Sequence, residues 1–379
     1  MKVAQIEPVG AHGAMHYYNA GLADGLFAAG VDTLLFTSSC GPFRPSTAQV
    51  ATSFAGCYGR APKLLRAARF TKALHRSLGE ARRSEADLVH LHFFGATPTE
   101  RLSVRLARRG DFPVVVTAHD VESLADEQSR ARTAAVYSSV DHLIVHNEAS
   151  KQALRRLTDT VPIDVIPHGH YLHIVQRERP RSVARRALGL EQDVPILLFF
   201  GQIKQAKGLD LLLAAMPTVV EAAPEVRLLI AGRPWRDDAD AYRRQIEELS
   251  LQDVVDFQPS FVDEERAKDL FAACDLAVLP YRHVYQSGVA LMSMSLGRPI
   301  LASDLPAMRE MIVDSRNGWL FRSEDTRDLG EKLIEILRDR SRLTVVGDAA
   351  REHVRSTNDW SAIGRRTLDV YRQVLSRTA

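Results

Sequence analysis

The stretch DLAVLPYRHVYQSGVALMSMSLGRPILASD, residues 275–304, decides the fold class of this chain. Its apolar run at Leu276–Leu279 predicts a short buried strand, followed by a helix that opens at Gly288 and is closed by Gly297 ahead of a second strand. The helix has almost no polar face, so we expect it to be buried. The start of such a helix offers backbone N–H groups to an anion. Close packing is the alternative reason for Gly288, and the stretch alone leaves both open.

The same alternation of apolar strands and helical stretches runs through the chain. It begins with a strand near 3–8, a loop that contains Gly10 and Gly13, a helix, and a second strand at 31–36. A new series restarts with the strand at 195–200. The first glycines do not have the dinucleotide-binding spacing, and no acidic residue ends the second strand. These features argue against a dehydrogenase.

We predict an α/β protein with two Rossmann-like parallel-sheet domains, residues 1–175 and 176–355, that face each other across a cleft. The connection is placed in 171–193, where the apolar pattern lapses into charged residues. A C-terminal helix over 356–379 carries an apolar stripe and is expected to return to the first domain. Residues 38–58, with scattered Gly, Pro, Ser and Thr, are expected to form a loop.

Composition bounds the class of protein. The chain has 379 residues, of which 45% are hydrophobic and 25% charged, and this is ordinary for a globular protein. The net charge of +2 gives no general argument for a nucleic-acid partner. The three cysteines form neither a disulfide framework nor a metal site and fit a reducing cytosol. With no signal-peptide pattern and no membrane-spanning apolar run, we expect a cytoplasmic protein.

Two lysines, Lys204 and Lys207, stand just ahead of the helix that begins at Leu209. The helix dipole disfavours cations at this end, so an anion between the two side chains would explain them. Two helix starts, this one and the one at Ser287, together with the two lysines suit a diphosphate without a metal. The alternative is that both lysines are solvated in a surface loop.

His119 and Asp120 follow four apolar β residues, at the carboxyl end of a predicted strand, where the sites of open α/β sheets lie. Asp120 either orients the imidazole or caps the next helix. No histidine or cysteine spacing in the chain is typical of a metal site.

The helical stretch near 62–83 segregates charge from apolar residues. Its basic face includes four residues that are candidates for contact with an anionic membrane: Arg66, Arg69, Lys72 and Arg76. The opposite face carries Leu64, Ala67, Phe70, Leu74 and Leu78. A solvated basic face over a helix packed on the sheet is the alternative. The membrane hypothesis predicts a protein that docks reversibly on the inner membrane face.

With these motifs in this order, the chain resembles the GT-B glycosyltransferases, and specifically glycosyltransferase family four, also called glycosyl transferases group one. The resemblance spans nearly the whole chain. The segments that carry it are the first glycine loop, 116–120, 165–169, 200–210, 228–232, 275–280, 287–299, 317–318 and the terminal helix with Trp360.

The resemblance implies transfer of a sugar, of the hexosyltransferase type, from a nucleotide-diphosphate sugar to a hydroxyl acceptor, with retention and without a metal or another cofactor. It implies a lipid-linked acceptor as one option and no nucleic acid. The catalytic residues implied are His119, which would face the reacting sugar, and Lys207, which matches the donor-phosphate lysine. The donor-binding residues implied are Gly13, Lys204, Lys207, Gly232, Arg233, Ser287, Gly288 and Val289.

One departure bears on activity. The family usually carries two glutamates ahead of the helix-closing Gly-x-Pro, and these positions are Val284 and Met292 here. An arginine of the lysine loop is also replaced, by Gln202, and Lys204 is the expected substitute. Two alternatives therefore stay open. The first is a sugar-nucleotide epimerase on the same fold, and the second is a catalytically silent homologue that acts as a binding subunit.

Overall fold

The computed structural model divides the chain into two compact units. Unit 1 comprises Met1–Gly169 together with Asn358–Ala379, and unit 2 comprises His170–Thr357. The expected boundary at 175/176 lies outside the described residues. The structure describes residues 1–13, 15–41, 43–59, 61–121, 130–172, 179–235 and 237–378.

Unit 1 contains a seven-stranded parallel sheet with the order β3-β2-β1-β4-β5-β6-β7. Its strands are β1 Lys2–Glu7, β2 Asp32–Thr37, β3 Gln49–Ala51, β4 Leu88–Phe93, β5 Val114–Ala118, β6 His142–Val145 and β7 Ile163–Val165. Strand β3 corrects the expectation of a loop throughout 38–58. Only three residues pair with β2, at the sheet edge, so the segment lacks the long apolar run by which strands are recognised.

The crossovers of unit 1 are helical. They are α1 Met15–Ala28, α2 Lys63–Arg83, α3 Pro98–Arg109, α4 Arg130–Tyr137 and α5 Glu148–Arg155. Parallel strands require such crossovers, and they leave the carboxyl ends of β1, β4, β5 and β6 at one edge of the sheet. A short 3-10 turn, Gly10–Gly13, follows β1 at that edge.

Unit 2 contains a six-stranded parallel sheet with the order β10-β9-β8-β11-β12-β13. Its strands are β8 Ile196–Phe200, β9 Arg227–Ala231, β10 Val255–Gln258, β11 Leu276–Leu279, β12 Ile300–Ser303 and β13 Trp319–Phe321. The helices are α6 Arg181–Ala187, α7 Leu209–Ala222, α8 Ala239–Glu248, α9 Glu264–Ala273, α10 Gly288–Ser295, α11 Pro306–Met311, α12 Thr326–Arg338 and α13 Ser341–Thr357. Two parallel-sheet α/β domains confirm the predicted fold class.

Helix α6 lies inside the stretch that the sequence assigned to a connection. Its Arg185 is fully buried and donates to Asp275 (2.8 Å) and to the carbonyl groups of Ala273 (3.0 Å) and Val194 (2.9 Å). The helix is held in unit 2 by this buried arginine and by Ala184, which packs with Ala272 and Ala273. One small apolar side chain makes no apolar stripe, which explains why hydropathy alone did not reveal the helix.

The last helix, α14 Trp360–Thr378, belongs to unit 1 and packs against α1. Glycines permit this approach: a Cβ on Gly364 would lie 2.0 Å from the carbonyl oxygen of Gly25, and one on Gly21 would lie 2.1 Å from the Trp360 ring. Tyr371 and Val374 are buried in the same apolar cluster. The chain thus uses its C-terminus to cover the first sheet.

Candidate functional site

Three glycines bring the loops after β8, β9 and β11 together at the carboxyl edge of the second sheet. A Cβ on Gly232 would lie 1.7 Å from the carbonyl oxygen of Gly201. A Cβ on Gly208, which has φ +65°, would lie 1.9 Å from the carbonyl oxygen of Pro280. Any side chain would collide at these positions, so only glycine lets the backbone segments lie in contact at this edge.

Lys207 lies beside the start of α10. Its Nζ is 3.6 Å from the centroid of the Tyr281 ring, and the Tyr281 hydroxyl is 3.4 Å from the Oγ of Ser287. Ser287 caps α10 by accepting a hydrogen bond from the N–H of Ala290 (3.2 Å). First-turn N–H groups have no acceptor within their own helix, so those of Gly288 and Val289 are available at a helix end that the Tyr281 side chain connects to Lys207. This juxtaposition supplies positive charge and N–H donors at one point.

An ion pair that the sequence did not reveal holds the lysine loop. The guanidinium of Arg282 donates to both carboxylate oxygens of Asp210 (2.7 and 2.6 Å) and to the carbonyl of Gln205 (2.9 Å). The backbone N–H of Arg282 donates to the carbonyl of Ala206 (2.9 Å). Hydrogen bonding to Asp210 raises the pKa of Arg282. The short 3-10 turn Gln205–Lys207 is thereby fixed against the segment after β11.

The other predicted donor-binding residues of unit 2 lie around this point. Lys204 is half-buried and immediately precedes the 3-10 turn. The Arg233 side chain is exposed, while its carbonyl accepts from the N–H of Ile203 (3.0 Å). Val289 is half-buried, and its Cγ2 would lie 3.3 Å from a Cβ on Gly201. The structure therefore places these residues at the same edge as Lys207.

The two positions where glutamates were expected carry apolar side chains in the structure. Val284 is buried, and Met292 is half-buried and packs against an apolar cluster of unit 2. Neither position offers a carboxylate to a ligand.

In unit 1 a buried carboxylate organises the glycine loop. Glu7, the last residue of β1, accepts from the N–H groups of Val9 and Gly10 and from Nδ2 of Asn19, all at 2.8 Å. Burial raises its pKa, although these hydrogen bonds oppose the shift. The 3-10 turn that ends at Gly13 begins directly from this network. Sequence reasoning missed Glu7 because a single acidic residue at a strand end has no distinctive pattern.

His119 lies at the carboxyl end of β5, where the sequence placed it, within a row of buried histidines. Its Nε2 is 3.1 Å from Nδ1 of His92, and its Nδ1 is 3.0 Å from Nε2 of His146. The Nδ1 of His146 is 3.0 Å from the carbonyl oxygen of Ile166. Both ring nitrogens of His119 are therefore engaged with other imidazoles.

Aromatic rings enclose this row. The Tyr18 ring meets the rings of His92, His119, His146 and His168 edge-on, with centroid separations of 4.8–5.7 Å. Burial lowers the pKa of His146 to about 4 and that of His168 to about 3, and it holds the pKa values of His92 and His119 well below the usual range. The imidazoles are consequently neutral at physiological pH.

Helix α2 buries only part of the apolar face that the sequence analysis identified. Phe70, Leu74 and Leu78 are buried, but Leu64 is 86% exposed and Ala67 is also exposed. The apolar stripe continues beyond the part of the helix that packs on unit 1. Its first turns therefore leave leucine side chains exposed.

The four basic candidates lie along α2. Arg69, Lys72 and Arg76 are exposed, and Arg69 donates to the carbonyl of Gly56 (3.1 Å). Arg66 is only half-buried, so its guanidinium is less accessible than the other three side chains.

Among the residues that the structure describes, no group of three or more His, Cys, Asp or Glu side chains is arranged to hold a metal ion. In the same part of the chain, no helix has both the length and the apolarity that crossing a bilayer would require.

Comparison with known proteins agrees with this architecture. The family model described as Glycosyltransferase Family 4 matches residues 15–173, and the model described as Glycosyl transferases group 1 matches residues 194–339. Between them the two models cover most of the chain. The chain belongs to the group 1, family 4 glycosyltransferases.

Individual relatives of this glycosyltransferase are distant. A D-inositol 3-phosphate glycosyltransferase from Thermobispora bispora is 28% identical over 311 residues, which are 77% of this chain and 71% of the relative. The solved sucrose-phosphate synthase from Thermosynechococcus elongatus has a TM-score of 0.79 at 24% identity, with full coverage of both chains. Anabaena Alr3699/HepE, solved with UDP-glucose, has a TM-score of 0.77 at 17% identity and covers 98% of this chain and 100% of its own. At these identities the two structures show the shared fold.

Proposed function

We propose that this glycosyltransferase moves a sugar from a nucleotide-diphosphate sugar to a hydroxyl acceptor, with retention and without a metal ion. The observation that carries the proposal is the position of Lys207 beside the N-terminus of α10, at the carboxyl edge of the second sheet. A cation and a helix N-terminus at one point favour a polyanion such as a diphosphate.

The proposed chemistry needs no protein nucleophile. The bond between the anomeric carbon and the diphosphate oxygen breaks, and the acceptor oxygen forms the new bond on the same face. The acceptor's proton passes to an oxygen of the leaving diphosphate. Lys204, Lys207 and the N–H groups of Gly288 and Val289 stabilise the charge that develops on the diphosphate. Because these groups supply the positive charge, a divalent metal is dispensable.

The lysine loop is held in place before a donor arrives. Arg282 and Asp210 fix the 3-10 turn, and Gly208 lets it touch the segment after β11. Binding groups that are already positioned do not have to be ordered during the reaction. In unit 1 we assign His119 to contact with the transferred sugar, and Gly13 to the loop that approaches the diphosphate.

The donor is identified by a thermal-shift screen of the purified protein with UDP, GDP, UDP-glucose, GDP-mannose and related nucleotide sugars. The curated relative supports including inositol 3-phosphate among the acceptors, and the neighbour solved with UDP-glucose supports beginning with uridine donors. A ligand that binds only the folded state raises the melting temperature.

Lys207→Ala tests the phosphate assignment, with Lys332→Ala as the matched control. Lys332 is a lysine of unit 2 on α12, paired with Glu335 at 2.9 Å. A surface pair of this kind contributes well under about 1 kcal/mol. Loss of a donor to the diphosphate should lower kcat by roughly 100-fold, whereas the control should retain parental activity. Equal rates for parent and Lys207→Ala would remove the lysine from the mechanism.

Retention and metal independence have their own measurements. The anomeric proton coupling of the product glycoside, measured by NMR, reports the configuration at the transferred sugar's anomeric carbon. EDTA should leave the rate unchanged. Donor consumption that yields an isomeric nucleotide sugar in the absence of acceptor would instead identify an epimerase, and no turnover of any donor would identify a binding subunit.

We further propose that α2, from Leu64 to Arg76, docks on an anionic membrane surface, where a lipid-linked acceptor would be reached. The support is the combination of exposed Leu64 and Leu65 with exposed Arg69, Lys72 and Arg76. Leucines enter the interface while basic side chains meet lipid phosphates, and each basic residue contributes about 1 kcal/mol.

Vesicle co-sedimentation tests the docking. The parent should bind phosphatidylglycerol vesicles, release with salt, and lose binding when Arg66, Arg69, Lys72 and Arg76 become Ser. A control with the same change of charge replaces exposed Arg101, Arg105, Arg109 and Arg365 by Ser. Equal binding by both quadruple variants would show nonspecific charge attraction, and equal binding by parent and α2 variant would remove the membrane role.

A further inference from the structure

The row His92–His119–His146 has a hydrogen-bond direction that its partners impose. At one end, Nδ1 of His146 faces the carbonyl oxygen of Ile166 at 3.0 Å. A carbonyl can only accept, so this nitrogen carries the hydrogen. A neutral imidazole has one N–H, and Nε2 of His146 is therefore an acceptor.

The same reasoning passes along the row. Because Nε2 of His146 accepts, Nδ1 of His119 must donate to it across 3.0 Å. The Nε2 of His119 is then an acceptor, and Nδ1 of His92 donates to it across 3.1 Å. The row ends at Nε2 of His92, a buried lone pair that has no hydrogen-bond partner among the described residues. One backbone carbonyl thus sets the tautomer of all three rings.

We propose that His92 and His146 are positioning residues that hold His119 as its neutral Nδ1–H tautomer. The proposal rests on the proposed function in one respect, the assignment of His119 to sugar contact. It also goes beyond that assignment, because His119 is then neither an acid nor a base. Its role is to present a fixed, uncharged ring, stacked on Phe94 with a centroid separation of 4.9 Å.

The surroundings keep the row neutral. His90 and His168 lie beside it, the edge of Tyr18 meets it from α1, and Asp120 is the next residue after His119. Nε2 of His92 is the one nitrogen of the three rings that can take a proton without breaking a bond of the row. That atom is buried, and burial opposes the charge.

Tautomers are read directly from ¹⁵N-histidine-labelled protein at pH 7 by long-range ¹H–¹⁵N correlation. The expected result is Nδ1–H for His92, His119 and His146, with resonances assigned by single substitutions. This measurement needs no donor and no variant activity. An Nε2–H signal from His119 in the parent protein would overturn the proposal.

His146→Phe removes the anchor on Ile166 while keeping an aromatic ring. His119 should convert to Nε2–H, with His92 reversing to its Nε2–H tautomer so that Nδ1 of His92 becomes the acceptor between the two rings. The kcat for UDP-glucose turnover should fall roughly 10- to 100-fold with KM changed less than about 2-fold. The acid limb of the kcat profile should lie at higher pH than in the parent. Burial holds the pKa of His119 below the usual range and the His146 imidazole lowers it further, so removing that imidazole lets the pKa rise while burial still keeps it low.

His90→Phe is the matched control. His90 is equally buried and contacts the His92 ring, but its nitrogens bond to Tyr371 and Thr117, both at 2.7 Å, outside the row. This variant should lose stability without changing the tautomer of His119, and it should shift the acid limb less than His146→Phe does. A His146→Phe protein with the parental tautomer, kcat and pH profile would refute the positioning role. Absence of turnover by the parent would instead refute the proposed function and leave the tautomer result standing.

Discussion

Comparing Gly208→Ala with the matched variant Gly189→Ala separates the effect of backbone strain from the effect of displacing the lysine loop. Gly208 has φ +65° and Gly189 has φ +70°, and both lie in unit 2. A Cβ on Gly189 would meet no atom within 4 Å, whereas one on Gly208 would lie 1.9 Å from the carbonyl oxygen of Pro280. Both substitutions add left-handed strain of about 1 kcal/mol, and only one adds a collision.

The collision has a calculable consequence. A carbon atom normally approaches a carbonyl oxygen to no less than about 3.3 Å, so the Lys207 turn and the segment after β11 must separate by more than about 1 Å. A displacement of this size in a binding group lowers rate by up to about 100-fold. Tyr281 and Arg282, which both contact the lysine turn, lie on the displaced segment.

The assay is kcat/KM with the donor found by thermal shift, together with urea unfolding of both variants. Gly208→Ala should lose most of its activity and more stability than Gly189→Ala, which should keep the parental kcat/KM. Equal kcat/KM for the two variants would show that the approach of Gly208 to Pro280 does not position Lys207 for catalysis.

Three further changes test the packing. Trp360→Ala should cost about 3–5 kcal/mol of unfolding free energy, because Trp360 is only 8% exposed. The control Trp235→Ala should cost little, because Trp235 is 44% exposed. Urea midpoints measure both losses, and similar losses would contradict the packing of α14. Arg185→Ala should cost about 3–5 kcal/mol by leaving buried groups without their donor, while exposed Arg186→Ala should change the urea midpoint little. Acid should destabilise unit 1, because its buried imidazoles have lowered pKa values and the unfolded chain therefore binds more protons below pH 6.5. Each such histidine can cost up to about 1.4 kcal/mol of unfolding free energy per pH unit. A urea midpoint that does not change between pH 7.5 and 5.5 would refute this.

The sequence by itself determined the fold class, most element positions and the edge of each sheet at which functional residues lie. The apolar periodicity of a strand or helix depends on which of its own residues are buried. The strand at 276–279 and the helix at 288–295 could therefore be predicted without knowing their neighbours. The Lys207 loop and the start of α10 were found for the same reason. The resemblance to the family rested on these local segments in their order.

The tertiary structure decided which polar atoms meet. His92, His119 and His146 follow one another at intervals of 27 residues, and they come together only because β4, β5 and β6 are neighbours in register. Arg282 finds Asp210 across 72 residues. Hydropathy likewise placed Leu64 and Leu74 on one apolar face, yet unit 1 buries Leu74 and leaves Leu64 exposed. Apolar periodicity shows which positions of a segment face inward. Which side chains meet, and how far a packed surface extends, depend on strand register and on chain crossings that no single segment encodes.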